Sequence, residues 1–130
     1  MTGKRVELRL PATRDMMLVV RLTTAGILAR SGLTVEAVED AKMAVEEACG
    51  SLIRASRCAA LYLCFVREPR GISLTVQAES GSDAQCTPVQ CLDEDEADML
   101  RAVLLSLMDE VSLVTSEGCL RSVRMHKVLP

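Results

Sequence analysis

Few residues in this chain have the type and spacing for chemistry. Six cysteines stand at Cys49, Cys58, Cys64, Cys86, Cys91 and Cys119, with one histidine, His126. No two cysteines have CxxC spacing, and the histidine is remote from most of them. A zinc site gathers about four ligands at tight spacing and is not expected here. Cys49 and Cys64 fall in apolar periodic segments and read as reduced, small hydrophobic residues, which makes the cytoplasm the natural compartment. Cys86 and Cys91 lie in a polar stretch, where their spacing permits a disulfide without requiring one. A ligand or redox sensor built on them is one function class to test. Glu46 and Glu47 are adjacent, and neighbouring helical residues point about 100° apart, so they do not converge as an acid and a base. His126 alternates with Arg124 on a terminal strand, and no nucleophile and carboxylate accompany it. Ser51 and Ser56 lack a nucleophile-elbow context. The densest chemical feature is acidic: Asp93, Glu94, Asp95, Glu96 and Asp98 follow one another with no glycine among them.

The 130 residues suit a single domain, residues 1–130. Hydrophobic residues at 49% and charged residues at 25% allow a buried core and a solvated surface. A net charge of −3 argues against a nucleic-acid or anionic-membrane binder. Aromatics are only 2%, Tyr62 and Phe65 with no tryptophan, so the stacking platforms of single-strand readers are missing. No apolar run approaches the ~20 residues of a membrane span, and the start, MTGKRVELRL, lacks the apolar segment of a secretory signal.

These residues must be positioned by a short set of elements. Val6, Leu8 and Leu10 alternate with Glu7 and Arg9, which predicts a half-buried strand ending at Pro11. Thr13 is placed to cap a first helix that runs to about Arg30 and stops at Ser31-Gly32. Thr34 opens a second helix, where Val38, Ala41, Val45, Ala48, Leu52 and Ala55 step onto one face. Ala60 to Val66 is apolar on both faces, as in a central strand. Pro69-Arg70-Gly71 turns into a partner strand over Ile72 to Ala78. A polar loop runs from Glu79 to Leu92, and a third helix from Asp93 to Met108. Strands follow over Val111 to Thr115 and Leu120 to Leu129, joined by a turn at Glu117-Gly118. The order β-α-α-β-β-α-β-β packs most economically as an α+β two-layer sandwich, helices on one face of a mostly antiparallel sheet.

Several stretches resemble the bacterial anti-sigma-factor serine kinases of the RsbW type. They are Leu10-Pro11-Ala12, Arg21-Leu22-Thr23, Gly26, Ala29 to Gly32, Leu107 to Val111 and, above all, Val38 to Cys49 (VEDAKMAVEEAC). The resemblance covers nearly the whole chain. It implies the histidine-kinase-like ATPase (GHKL, Bergerat) fold, Mg-ATP binding, homodimer formation, sequestration of a sigma factor, and phosphorylation of a STAS-type anti-anti-sigma partner.

Residue by residue, the chain departs from the nucleotide motifs that the resemblance implies. Glu47 matches the family's candidate base, but the asparagine that holds magnesium one turn later is Ser51, and a histidine one turn beyond is Ala55. The adenine-binding aspartate falls on Ala78 in Ala78-Glu79-Ser80-Gly81, and Glu79 substitutes only by a one-residue slip, which reverses its face on a strand. The glycine-rich loop before the last helix is replaced by the carboxylates from Asp93 onward, which repel a triphosphate and compete for the same backbone amides. The expectation is a regulator that acts by protein binding through helix 1 and the first strand, with no cofactor. Its partners are a sigma factor or a STAS-type protein, with no nucleic acid and no membrane. The alternative is an active kinase with Glu47 as base, Ser51 on magnesium, and Glu79 and Gly81 contacting Mg-ATP.

Overall fold

The computed structural model describes residues 4–55, 58–79, 92–116 and 118–130. The elements, in order, are β1 (Lys4–Pro11), a 3-10 turn (Arg14–Met16), α1 (Met17–Leu28), α2 (Val35–Ala55), β2 (Ala60–Glu68), β3 (Gly71–Glu79), α3 (Glu94–Leu105), β4 (Glu110–Ser116) and β5 (Cys119–Val128). The five strands form one antiparallel sheet in the order β1-β2-β3-β5-β4. This is the expected α+β succession of elements, with three α-helices among the described residues.

Register assigns the two faces. Leu8, Leu63, Val76, Val123 and Leu113 form one row across all five strands. Phe65, Leu74 and Met125 form the next. These rows point at the helices and supply much of the core. α2 supplies the other half through Ala41, Ala44, Val45, Ala48, Cys49, Leu52 and Ala55, all buried. Its alanines bring the helix backbone close to the sheet, so the larger strand side chains fill the layer. The intervening row of Glu7, Cys64, Thr75, Arg124 and Ser112 lies on the opposite, open face.

Four expectations need correction. Val6 is 41% exposed, on the edge strand β1. Thr13 makes no side-chain cap: the chain enters α1 through the 3-10 turn, and the Met16 amide donates to the Thr13 carbonyl. β2 is not buried on both faces. Leu61, Leu63 and Phe65 are covered by helices, whereas Tyr62 and Val66 remain partly accessible on the open face. α3 ends at Leu105, three residues early, where the Leu107 and Met108 amides both turn back to the Leu104 carbonyl.

Other local signals behave as their chemistry requires. α1 stops where Ser31 donates through its hydroxyl to the Leu28 carbonyl and Gly32 adopts φ +86°, the left-handed region open to glycine. Thr34 caps α2, accepting from the Ala37 amide at 3.0 Å. Cys49 and Cys64 carry free thiols, as expected. Cys119, at the start of β5, is disulfide-bonded, which the spacing did not foretell.

Candidate functional site

The face of α2 that carries Glu47 is built by the helical repeat. Ala48 and Leu52 turn into the core and fix the helix rotation, leaving Glu47 on its flank and Ser51 turned inward at 2% exposure. Arg54 lies one turn beyond. Its guanidinium folds back over Gly50, where a Cβ would stand 3.3 Å from Nη1. Nη2 donates to Ser51 Oγ at 3.2 Å and to Glu47 Oε2 at 3.4 Å. One cation thus engages both residues that the resemblance sets beside a nucleotide. The side chains of this pair are about half exposed, so the ion pair contributes little to stability, at most ~1 kcal/mol. Arg54 and Glu47 line a shallow cleft of about 280 Å³ with Arg14, Met17, Met43 and Glu46. Arg21 reaches Glu46 at 3.5 Å and ties α1 to α2 beside it.

The end of β3 separates Ala78 from Glu79 by strand alternation. Ala78 sits in the row with Leu10 and Leu61 and packs against the core. Glu79 points to the open face, where its Oε1 accepts from Arg9 Nε. The structure therefore does not bring Glu79 together with Glu47 and Ser51. Gly81, Ser56, Cys86 and Cys91 lie outside the described residues.

The start of α3 is closed by its own side chains. Asp93 Oδ1 accepts from the Glu96 amide at 2.8 Å, and Glu96 Oε1 accepts from the Asp93 amide at 3.2 Å. This reciprocal capping box uses amides that an anion at a helix start would need. Glu94, Asp95 and Glu96 add their charge to the first turn.

His126 rests on the open face between Glu68 (3.4 Å) and Glu110 (3.8 Å). Ser73, its cross-strand neighbour, donates to Glu68 at 2.7 Å and not to the imidazole, so no serine–histidine relay forms. No group of three or more metal-ligating side chains occurs among the described residues. Cys49 is fully buried in α2; desolvation, aided by the nearby Glu46 charge, pushes its thiol pKa up to about 12 and makes it unreactive near neutrality.

One feature escaped the sequence reading. α1 buries Met17, Val20, Thr24 and Leu28, yet Leu18 (55%), Val19 (41%) and Leu22 (64%) are exposed. The signal was present, since the helix sequence MLVVRLTTAGIL is apolar almost all round and a surface helix buries only one stripe.

No protein-family model matches the chain. The serine-protein kinase RsbW of Staphylococcus epidermidis is 29% identical over 132 residues, spanning 90% of this chain and 83% of that protein. This chain is a relative of the RsbW serine-protein kinases. RsbW of Bacillus cereus (strain AH187) is 33% identical over 51 residues, 39% of the chain and 32% of that protein. RsbW of Bacillus thuringiensis (strain Al Hakam) matches to the same extent. No helix among the described residues is long and apolar enough to cross a membrane.

Proposed function

We propose that this chain is a regulator of the anti-sigma-factor, serine-kinase-like type that works by binding protein and has lost Mg-ATP chemistry. The observation that carries the reading is the capping box at the start of α3, where Asp93 and Glu96 occupy the amides and surround them with carboxylates. These residues do not fit a triphosphate. Arg54 on Glu47 and Ser51 supports the same reading, because a guanidinium stands where a magnesium-bound phosphate would need open oxygen ligands. Ala78 supports it too: a methyl group packed on the core offers no acceptor to an adenine amino group. We read the architecture as a Bergerat (GHKL) scaffold kept without its cofactor.

The exposed apolar row of Leu18, Val19 and Leu22 on α1 is the surface we assign to protein contact. The partners are a sigma factor or a STAS-type anti-anti-sigma protein, and the working unit is a homodimer in the cytoplasm. Titration calorimetry with Mg-ATP tests the reading. No heat of binding up to millimolar nucleotide is expected, and micromolar affinity overturns it.

The active-kinase reading has one observation in its favour, the near full-length relationship to a serine-protein kinase. It would use Glu47 as base. Its adenine contact through Glu79 meets an obstacle, since that side chain is on the open face with Arg9. Phosphate transfer that Glu47→Ala abolishes is the result that favours it.

A further inference from the structure

The face of the sheet turned away from the helices is polar, and strand register arranges it. Tyr62, Gln77 and Ser122 stand side by side on β2, β3 and β5, and Cys64, Thr75 and Arg124 form the next row. All six line one open cleft of about 410 Å³, in the size range of a small-molecule site. Val66 adds an apolar patch to it, and Arg5, Ser73 and Glu68 complete its rim.

Two polar groups in this cleft lack partners. Arg5 and Arg9 on the same face are paired, with Glu7 at 2.8 Å and with Glu79, whereas Arg124 makes no ion pair or hydrogen bond among the described residues. Ser122 is only 9% exposed, and its hydroxyl also has no hydrogen-bond partner among the described residues. A buried hydroxyl left unpaired is costly, and a bound acceptor relieves it. Glu68, the one carboxylate lining the cleft, is already engaged: Ser73 donates to it at 2.7 Å, and His126 Nε2 lies 3.4 Å away. Arg124 also lines a neighbouring cleft, but there Glu68 and Glu110 flank His126 and repel an anion.

We propose that this cleft binds a small hydroxylated phosphomonoester, of the sugar-phosphate kind. The guanidinium of Arg124 takes two phosphate oxygens in its fork, and the Thr75 and Ser122 hydroxyls donate beside it. A carboxylate fits less well: its two oxygens are both taken by the fork, whereas a phosphomonoester keeps a third for the hydroxyls. Tyr62 and Val66 cover the carbon skeleton, and Gln77 and Glu68 hydrogen-bond the ligand's own hydroxyls at the rim. A nucleoside triphosphate is excluded, because its further phosphates run onto Glu68 and Glu110. The cleft lies on the opposite face of the sheet from the helices, so the assignment does not rest on the reading of α1 or on the loss of Mg-ATP binding.

The test titrates the full chain with glucose 6-phosphate and follows the backbone amides by NMR. Saturable binding in the millimolar range is expected, with shifts concentrated at 62–66, 73–77 and 122–126. Arg124→Gln, an exposed substitution, is expected to weaken binding at least tenfold, the loss of one charge-assisted pair, with an otherwise unchanged spectrum. Inorganic phosphate and glucose are each expected to bind at least tenfold more weakly than glucose 6-phosphate. Equal binding of glucose removes the anion site, and equal binding of inorganic phosphate removes the role of Tyr62 and Val66; either overturns the proposal. So does binding that Arg124→Gln leaves intact, a set of shifts that maps to α2 or α3, or no saturation at all. Sedimentation velocity across concentration gives a further check: a dimer that Arg124→Gln dissolves makes a second copy the partner of this arginine and overturns the assigned ligand.

Discussion

Adding 1 mM Mg-ATP to this protein is expected to leave its melting temperature unchanged within about 1 °C. A site with a dissociation constant of about 10 μM would stabilise the fold by about 2.7 kcal/mol at that concentration. For 130 residues this raises the midpoint by about 10 °C. The start of α3 removes that gain in two ways. A phosphate charge about 6 Å from one carboxylate costs about 3 kcal/mol at an effective dielectric of 20. Because Glu94, Asp95 and Glu96 are exposed, screening leaves about 1 kcal/mol each, or about 2 kcal/mol from the nearer two. The amides of Asp93 and Glu96 are already bonded within the capping box, which forfeits two charge-assisted bonds worth about 1.5 kcal/mol each. The sum, about 5 kcal/mol, moves a 10 μM site to about 40 mM by the rule of tenfold per 1.4 kcal/mol. Differential scanning fluorimetry with and without Mg-ATP measures the shift directly. A rise of about 8 °C or more refutes the electrostatic reasoning, and phosphate transfer that Glu47→Ala abolishes would then put the kinase reading in its place.

Three further outcomes follow from particular residues. Asp93→Ala removes one half of the capping box and is expected to cost about 1 kcal/mol, seen as a urea midpoint lower by about 0.5 M with an unchanged slope. Burial holds the Cys49 thiol protonated in the folded state, so the unfolded chain loses its proton first; above about pH 9 stability falls by up to about 1.4 kcal/mol per pH unit until the folded thiol ionises near 12. Guanidinium unfolding at pH 8 and pH 10 is expected to show that extra loss in the native chain and not in Cys49→Ala. Leu22→Asp, at an exposed position of α1, is expected to change stability by less than about 0.5 kcal/mol while reducing capture of a sigma factor or STAS-type partner at least tenfold in a pull-down.

Much of the fold was legible because periodicity is a local signal. The stripe from Ala41 to Ala55 places α2 on the sheet within one residue, and alternation from Ile72 to Ala78 gives β3. What escaped depends on distant neighbours. Whether Tyr62 and Val66 are covered depends on the existence of a second helical layer, which β2 itself cannot encode. At the entry to α1 the 3-10 turn is held by the Met16 amide on the Thr13 carbonyl, with no bond from the Thr13 hydroxyl. The Cys119 bond depends on spatial proximity, which spacing alone does not fix.

The candidate site was legible at different depths for the same reason. The capping box follows from acidic residues three apart, Asp93 and Glu96, and needs only one helical turn to form. The opposed faces of Ala78 and Glu79 follow from strand alternation once β3 is placed. Arg54 is the harder case. Its position one turn past Ser51 is visible in the sequence, but its reach to Glu47 requires that Gly50 leave the path clear. Gly50→Leu therefore tests the clasp: a branched side chain crowds the guanidinium out of its path and exposes Glu47 without touching either charge. If nucleotide binding stays absent in that variant, the closed start of α3 is sufficient to exclude it; if binding emerges, Arg54 was the decisive obstacle.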